Sequence, residues 1–357
     1  MPWLCRSPTF HDADAARAVG LVMRDRRRQQ ARSARRKVIV LICLALLGLV
    51  FAHVAVASDP GLSSPSPASP QASSIKDIYW VLVAVTGVIF ILVEGALILF
   101  IVRFRRRNRP RNLEGPQIHG ATRLELIWTA IPIVILIGII AFVLVKLPGI
   151  NHVEAAQASG SEVEATVEGH QFYWNFLYPN GVIQVQTLTL PKGRPIRLQV
   201  RSADVVHSWW IPSLQGKFDA VPGKTNYQHF VADRTGTFTG QCGEFCGYEH
   251  PHMLGRVRIV SPAVYASWLR QQAQAQKSGT SDLGKQTWDG VCATCHALDA
   301  KGAYGPNLVG NPLLTQPVAL QTLLRNGRNK MPAVGKGWTS TQMRALITYV
   351  RRFANGG

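Results

Sequence analysis

Between Gly240 and Met253 the chain reads GQCGEFCGYEHPHM, which packs two cysteines, two histidines, a glutamate and a methionine into one short stretch. Cys242 and Cys246 are four apart, His250 follows by four and Met253 by three. Thiolate, imidazole and thioether form a soft donor set that suits copper, or zinc if the methionine is a bystander. The glycines at 240, 243 and 247, with Pro251, predict a tight loop. A further ligand has to come from elsewhere, and His207 in VVHSWWIP is the candidate. The plain alternative, a Cys242–Cys246 disulfide, leaves the histidines and methionine without a role.

A second cluster, VCATCH, ends at His296. Two thiols at the spacing of Cys292 and Cys295 can add to the vinyl groups of a haem, and the adjacent His296 reaches the iron from one face. Met331, in NGRNKMPAVG, is the candidate for the opposite face. Met343 competes, but Met343, Leu346, Ile347 and Val350 recur at helical spacing and belong to the apolar face of a last helix. Thr339 and Gln342 predict a capping box for that helix. The alternatives are a thioredoxin-like redox pair and half a zinc site, and zinc would lack ligands because no second cysteine pair or histidine beyond His296 follows Cys295.

These clusters must be positioned by separate units. Residues 1–57 form a basic leader and a signal-peptide-like apolar segment ending in Ala55-Val56-Ala57, with cleavage expected after Ala57. Met23 as the true start would give a more ordinary signal, and an uncleaved third membrane helix is the alternative. Residues 58–77 read as a mobile Pro/Ser-rich linker. Residues 78–147 hold two apolar spans, Ile78 to Val102 and Leu126 to Val145, each long enough to cross a bilayer. The intervening RFRRRNRPR predicts a cytoplasmic loop and places both outer ends of the hairpin on the opposite side, the periplasm of a bacterium. Glu94 lies inside the first span, where a carboxylate needs a polar partner. Glu125, in RLELIWTAIP, stands at the cytoplasmic mouth of the second.

Residues 150–262 change to short alternating runs with Pro/Gly turns, which predict an antiparallel β-sandwich or barrel with its ligands on loops at one end. Residues 263–282 read as a helix running into a linker, and 283–357 as a small helical unit whose haem would supply core for a short chain. The net charge of +19 is concentrated beside the apolar spans and in residues 283–357, where nine Lys and Arg face two Asp and Glu, a balance of +7. No nucleic-acid-binding motif accompanies it.

RLELIWTAIP, GHQFYW at 169–174, DVVHSWWIPSL at 204–214, KFDAVPGKTN at 217–226 and the 240–253 loop together resemble subunit II of the haem-copper cytochrome c oxidases. The appended VCATCH unit resembles oxidases whose subunit II carries a fused cytochrome c. The resemblance implies a multidomain membrane protein: a two-helix transmembrane hairpin, a cupredoxin-like β-sandwich and a small all-α cytochrome c domain, in a bacterial inner membrane. It implies a dinuclear copper A centre bridged by Cys242 and Cys246, with His207 and His250 terminal, and Met253 and the Glu244 carbonyl as weak ligands. It further implies that the Glu244 carboxylate serves a magnesium site shared with subunit I, that Glu125 lies at a proton-channel entrance, and that haem c is held by Cys292, Cys295, His296 and Met331. The partners implied are subunits I and III and a donor such as cytochrome c or a cytochrome bc complex. The activity implied is proton-translocating cytochrome c oxidase, with the oxygen chemistry in subunit I. A copper A-containing nitric oxide reductase and a membrane-anchored electron shuttle are the rival readings. One departure stands out: the family's electron-entry tryptophan in GHQWYW is Phe172 here, which implies a route from the tethered haem that does not depend on that indole.

Overall fold

The computed structural model describes residues 65–105, 115, 117, 119–151, 153 and 160–354. The basic leader and signal-peptide-like segment (1–57), the start of the linker and most of the basic loop after Phe104 lie outside the described residues. Among the described residues two long helices come first, α1 (Pro70–Phe104) and α2 (Thr122–Asn151). Both carry long apolar windows whose side chains are exposed, with mean hydropathies of 2.7 and 2.9. Surfaces of that kind are stable in lipid, not in water. Lys146 on α2 pairs with Asp77 on α1 at 2.7 Å.

The first helix begins at Pro70, earlier than the span at Ile78 expected from hydropathy. Ser69 caps it by accepting the Ala72 N–H at 3.0 Å, with proline in the first turn. The described end of the linker is also packed, which corrects its reading as a mobile segment. Ala68, Ser69, Gln71 and Ala72 are buried. The Ala68 N–H donates to the Ser213 carbonyl, the Ser69 hydroxyl donates to the Leu214 carbonyl, and the Asp233 N–H donates to the Ala68 carbonyl. A Pro/Ser-rich segment too polar to make its own core has borrowed an edge of the sandwich.

The sandwich comprises β1 (Val163–His170), β2 (Tyr173–Leu177), β3 (Ile183–Val185), β4 (Thr187–Pro191), β5 (Pro195–Ser202), β6 (His207–Trp210), β7 (Phe218–Ala220), β8 (Asn226–Val231), β9 (Gly236–Cys242) and β10 (Leu254–Val260). Two five-stranded sheets run β3-β2-β1-β5-β8 and β4-β10-β9-β6-β7. The expected all-antiparallel order needs correction: β1 pairs with β5, and β4 with β10, in parallel. Period-2 alternation marks which face is buried but is the same for both pairing senses.

Alternation sorts β2 cleanly. Trp174 and Phe176 enter the core between the sheets, with Val167, Leu198, Trp209 and Val257. Tyr173 and Asn175 face outward, in register with His170 and Glu168 of β1. That outer face is covered by the C-terminal unit. After α3 (Pro262–Ser278) come α4 (Leu283–Thr287), a wide turn at Trp288–Cys292, α5 (Ala293–His296), α6 (Pro317–Asn326) and α7 (Ser340–Ala354). The segment predicted as helix and linker is thus nearly all helix, and its Gln276 side chain bonds both the N–H and the carbonyl of Ile183, at 3.0 and 2.7 Å. Met343, Leu346, Ile347, Val350 and Phe353 form the buried face of α7. Thr339 accepts the Gln342 N–H at 3.2 Å, half of the predicted capping box.

Candidate metal centre

His207 opens β6, Cys242 ends β9, and the β9–β10 connection carries the rest. Trp209 lies opposite Cys242 in the ladder, so His207 and Cys242 meet at one end of the same sheet. The loop is pinned at its mouth: the Cys242 N–H donates to the Met253 carbonyl at 2.9 Å, and the Gly243 N–H to the Ser208 carbonyl at 2.8 Å. Donor atoms of His207, Cys242 and Cys246 all lie within 4.8 Å of one another. Cys246 Sγ is 3.7 Å from His250 Nδ1 and 3.7 Å from Met253 Sδ. Cys242 Sγ lies 4.0 Å from His207 Nδ1 and 3.2 Å from the Glu244 carbonyl. The loop and β6 therefore bring together the six residues named from the sequence. His207 and Met253 are fully buried, and Cys242, Cys246, Cys292 and Cys295 are free thiols.

One residue that the sequence reading missed orients the histidine. Asp204 accepts from His207 Nε2 at 2.7 Å, which fixes the tautomer and aims the Nδ1 lone pair at the cysteines. Asp204 is held in turn by the Gln171 N–H and the Val205 N–H, each at 2.7 Å. Burial raises the Asp204 carboxyl, but the His207 bond and these N–H donors outweigh it and hold it below its ordinary value. Burial pulls His207 down, yet its bonds to Asp204 and Cys242 leave it raised overall. The hydrogen bond from Cys246 is the largest of the effects that bring the Cys242 thiol down to about 3, while the same shared proton pushes Cys246 up. A pocket that favours thiolate at one of two adjoining cysteines suits a metal ion, whose binding displaces thiol protons. Asp204 stands three residues before His207, a spacing that does not by itself single it out in the sequence.

Two close approaches shape the pocket. A side chain at Gly169 would come within 2.8 Å of the His207 ring, and one at Gly255 within 2.5 Å of Trp209. The Glu244 carboxylate turns outward and pairs with Lys217 at 3.3 Å. Glu125 lies in the first turn of α2, where its carboxylate accepts the Ala121 N–H at 3.2 Å.

In the C-terminal unit, His296 ends α5 and its Nδ1 donates to the Pro306 carbonyl at 2.9 Å, leaving Nε2 free. Gly305 permits this, because a Cβ there would lie 2.6 Å from the imidazole. Burial, then Cys295, pushes the Cys292 thiol up to about 12. Burial, then Glu249 of the 240–253 loop, raises the Cys295 thiol. Met331 sits in a small bridge with Arg328 and packs on the module's apolar core.

Residues 57–147 match the family of cytochrome c oxidase subunit II transmembrane domains, and 181–260 that of the subunit II periplasmic domains. Residues 279–350 match the family described as cytochrome c oxidase, cbb3-type, subunit III. The cytochrome c oxidase subunit 2 of Alkalihalophilus pseudofirmus is 31% identical over 320 residues, covering 82% of this chain and 91% of that protein. The chain belongs to the cytochrome c oxidase subunit 2 family. The subunit 2 of Cereibacter sphaeroides is 31% identical, covering 63% of this chain and 83% of that protein. The crystal structure of the periplasmic domain of the Bradyrhizobium japonicum subunit II shares 30% identity, with a TM-score of 0.31, over 33% of this chain and 97% of that one. The chain is membrane-anchored, with a periplasmic β-sandwich and a C-terminal cytochrome c domain.

Proposed function

We propose that this subunit takes electrons one at a time from a reduced donor at a haem c held by Cys292, Cys295, His296 and Met331. It passes them through a dinuclear copper A centre to the oxygen-reducing subunit I. The observation that carries the reading is the convergence of His207, Cys242, Cys246, His250 and Met253 at one end of the sandwich. Dinuclear copper and haem c each supply reversible one-electron redox chemistry when bound.

The residues do the rest. Cys242, Cys246, His207, His250 and Met253, with the Glu244 carbonyl, would hold the copper. Asp204 keeps His207 in the ligating tautomer, and the Pro306 carbonyl does the same for His296. Burial of the donors excludes water, which keeps the charge rearrangement on transfer small. The chain lies in a bacterial inner membrane with subunits I and III beside α1 and α2, where Glu94 would find its polar partner. Glu125 guards the proton entrance of subunit I, and the Glu244 carboxylate would exchange Lys217 for a magnesium ion shared with that subunit. The domain limits proposed are those at 78–147, 150–262 and 283–357, with the signal peptide leaving after Ala57.

Optical and electron paramagnetic resonance spectroscopy of the purified chain tests this reading. A near-infrared copper band with a mixed-valence signal is expected, together with a c-type haem spectrum. Loss of the copper signal but not the haem in Cys242→Ser would follow, and a wild-type chain without either centre would sink the proposal.

A further inference from the structure

The haem module does not hang from a tether. Its core is continuous with the outer face of β1, β2 and β3, where Tyr173, Ile183 and Val185 pack with Leu283, Trp288 and Trp338. The Tyr173 hydroxyl donates to the Val334 carbonyl at 2.7 Å and accepts from Trp338 Nε1 at 2.6 Å. Asn175 and Gln342 exchange amide hydrogen bonds at 3.4 and 3.3 Å. Gln186 donates to the Gly290 carbonyl at 3.0 Å, and Gly290 has no room for a Cβ against it. Such a seam, apolar at its centre and hydrogen-bonded around it by Tyr173, Asn175 and Gln186, seats the module on the sandwich.

In that pose an aromatic side chain of the 240–253 loop, Tyr248, reaches the module. Tyr248 lies two residues after Cys246 and two before His250. Its hydroxyl reaches the Lys330 carbonyl at 3.4 Å, and Met331 is the next residue. Burial first, then the neighbouring Cys295 sulfur and Glu249 carboxylate, raise the Tyr248 phenol. On the other side the ring meets Phe172 edge-on at 4.9 Å. Gly247, at φ +136°, lets the loop fold over Phe172, since a Cβ there would come within 2.8 Å of that ring.

We propose that Tyr248 is the bridge between the two cofactor loops, its ring coupling the haem-side residues Cys295 and Lys330-Met331 to the copper-side residues Cys246 and His250. The proposal rests on the electron-input reading above. One electron leaves the ferrous haem iron, which becomes ferric, and enters the mixed-valence copper pair, which becomes fully reduced. No bond breaks, no proton moves, and the phenol keeps its hydrogen. Phe172 serves as the floor under the bridge, so the position that elsewhere in the family carries the entry tryptophan here supports Tyr248.

The test uses the full chain carrying both centres. After pulsed photoreduction of the haem, its reoxidation is timed against bleaching of the near-infrared copper band. Tyr248→Ala is expected to slow transfer by about tenfold, a moderate loss for a contact opened by a few ångströms. Tyr248→Phe, which keeps the ring, should stay within about twofold of wild type. If alanine disturbs the copper spectrum, Tyr248→Leu takes its place, keeping bulk without the π-system. In the metal-free and haem-free chain, amide exchange across 328–334 should rise with Tyr248→Ala and also with Tyr248→Phe, because both remove the hydroxyl that bonds the Lys330 carbonyl. A wild-type transfer rate in the Ala or Leu variant with both spectra intact overturns the bridge alone. A wild-type chain lacking either spectrum overturns the electron-input reading, and the electronic role of Tyr248 with it.

Discussion

Asp204 shows how much of a soft-metal site is decided by a residue that touches no metal. Its carboxylate takes the Nε2 proton of His207 and leaves Nδ1 facing Cys242. Asp204→Asn keeps the shape but removes the charge that favours this tautomer, and with its one oxygen towards His207 and Val205 it turns an NH2 towards the Gln171 N–H. Copper affinity is expected to fall about 10–100-fold, the usual cost of losing such a partner. Titration with copper against a competing chelator, read at the near-infrared band, checks this. A second buried carboxylate gives a pH dependence. Burial raises the Glu168 carboxyl, but its His170 and Arg201 partners win and hold it below the ordinary 4.5. A depressed carboxylate stabilises the fold above the unfolded-state value, and that stability is lost as pH falls below 4.5 through the folded-state value. Glu168→Gln should therefore cost about 1–2 kcal/mol at neutral pH and progressively less in acid, measured as the gap in Tm across a pH series.

At the scale of elements, the strand ends and the loop between them set the centre. Trp209 is the hinge of that arrangement: it is fully buried, lies opposite Cys242 and stacks edge-on with Trp174 at 5.0 Å and Phe176 at 5.5 Å. Gly255 on β10 leaves the space its indole fills. Gly255→Ala is expected to destabilise the sandwich by about 1–3 kcal/mol through overpacking, with a broadened copper signal as the Cys242 strand shifts; thermal unfolding and paramagnetic resonance read the two effects. The sequence displayed the ligand types because metal chemistry restricts them to a few residues, and it displayed the membrane spans because lipid demands long apolar runs. It did not display Asp204 or the Pro306 carbonyl, since oxygen acceptors are everywhere and only the fold says which one a histidine faces. It also hid the parallel pairing of β1 with β5, because alternation is blind to strand direction, and the burial of Ala68 to Ala72, because a Pro/Ser-rich segment gains its core only from another element.

For the molecule as a whole, the joined domains move the docking problem outward. With the haem module packed on the sandwich through Tyr173, Asn175 and Gln186, the electron-input reading proposed above leaves the encounter with a donor to diffusion. Residues 283–357 carry nine Lys and Arg against two Asp and Glu, and Arg328, Lys330 and Lys336 are exposed in the segment around Met331. A surface of one sign steers partners of the other, and salt weakens that steering over a Debye length of about 8 Å at physiological ionic strength. Reduction of the haem by an acidic donor should therefore be fast at low salt and fall steeply as salt is added. Reversing two charges on that segment, with Arg328→Glu and Lys336→Glu together, should lower the second-order rate by about tenfold at low ionic strength and flatten its salt dependence. Haem-to-copper transfer after photoreduction should be unchanged in the same variant, because those charges lie outside the contacts that hold the module to the sandwich. Stopped-flow reduction over a salt series, paired with the photoreduction measurement, separates the two steps. A variant that slows both would mean that the cationic segment holds the module in place instead of greeting the donor.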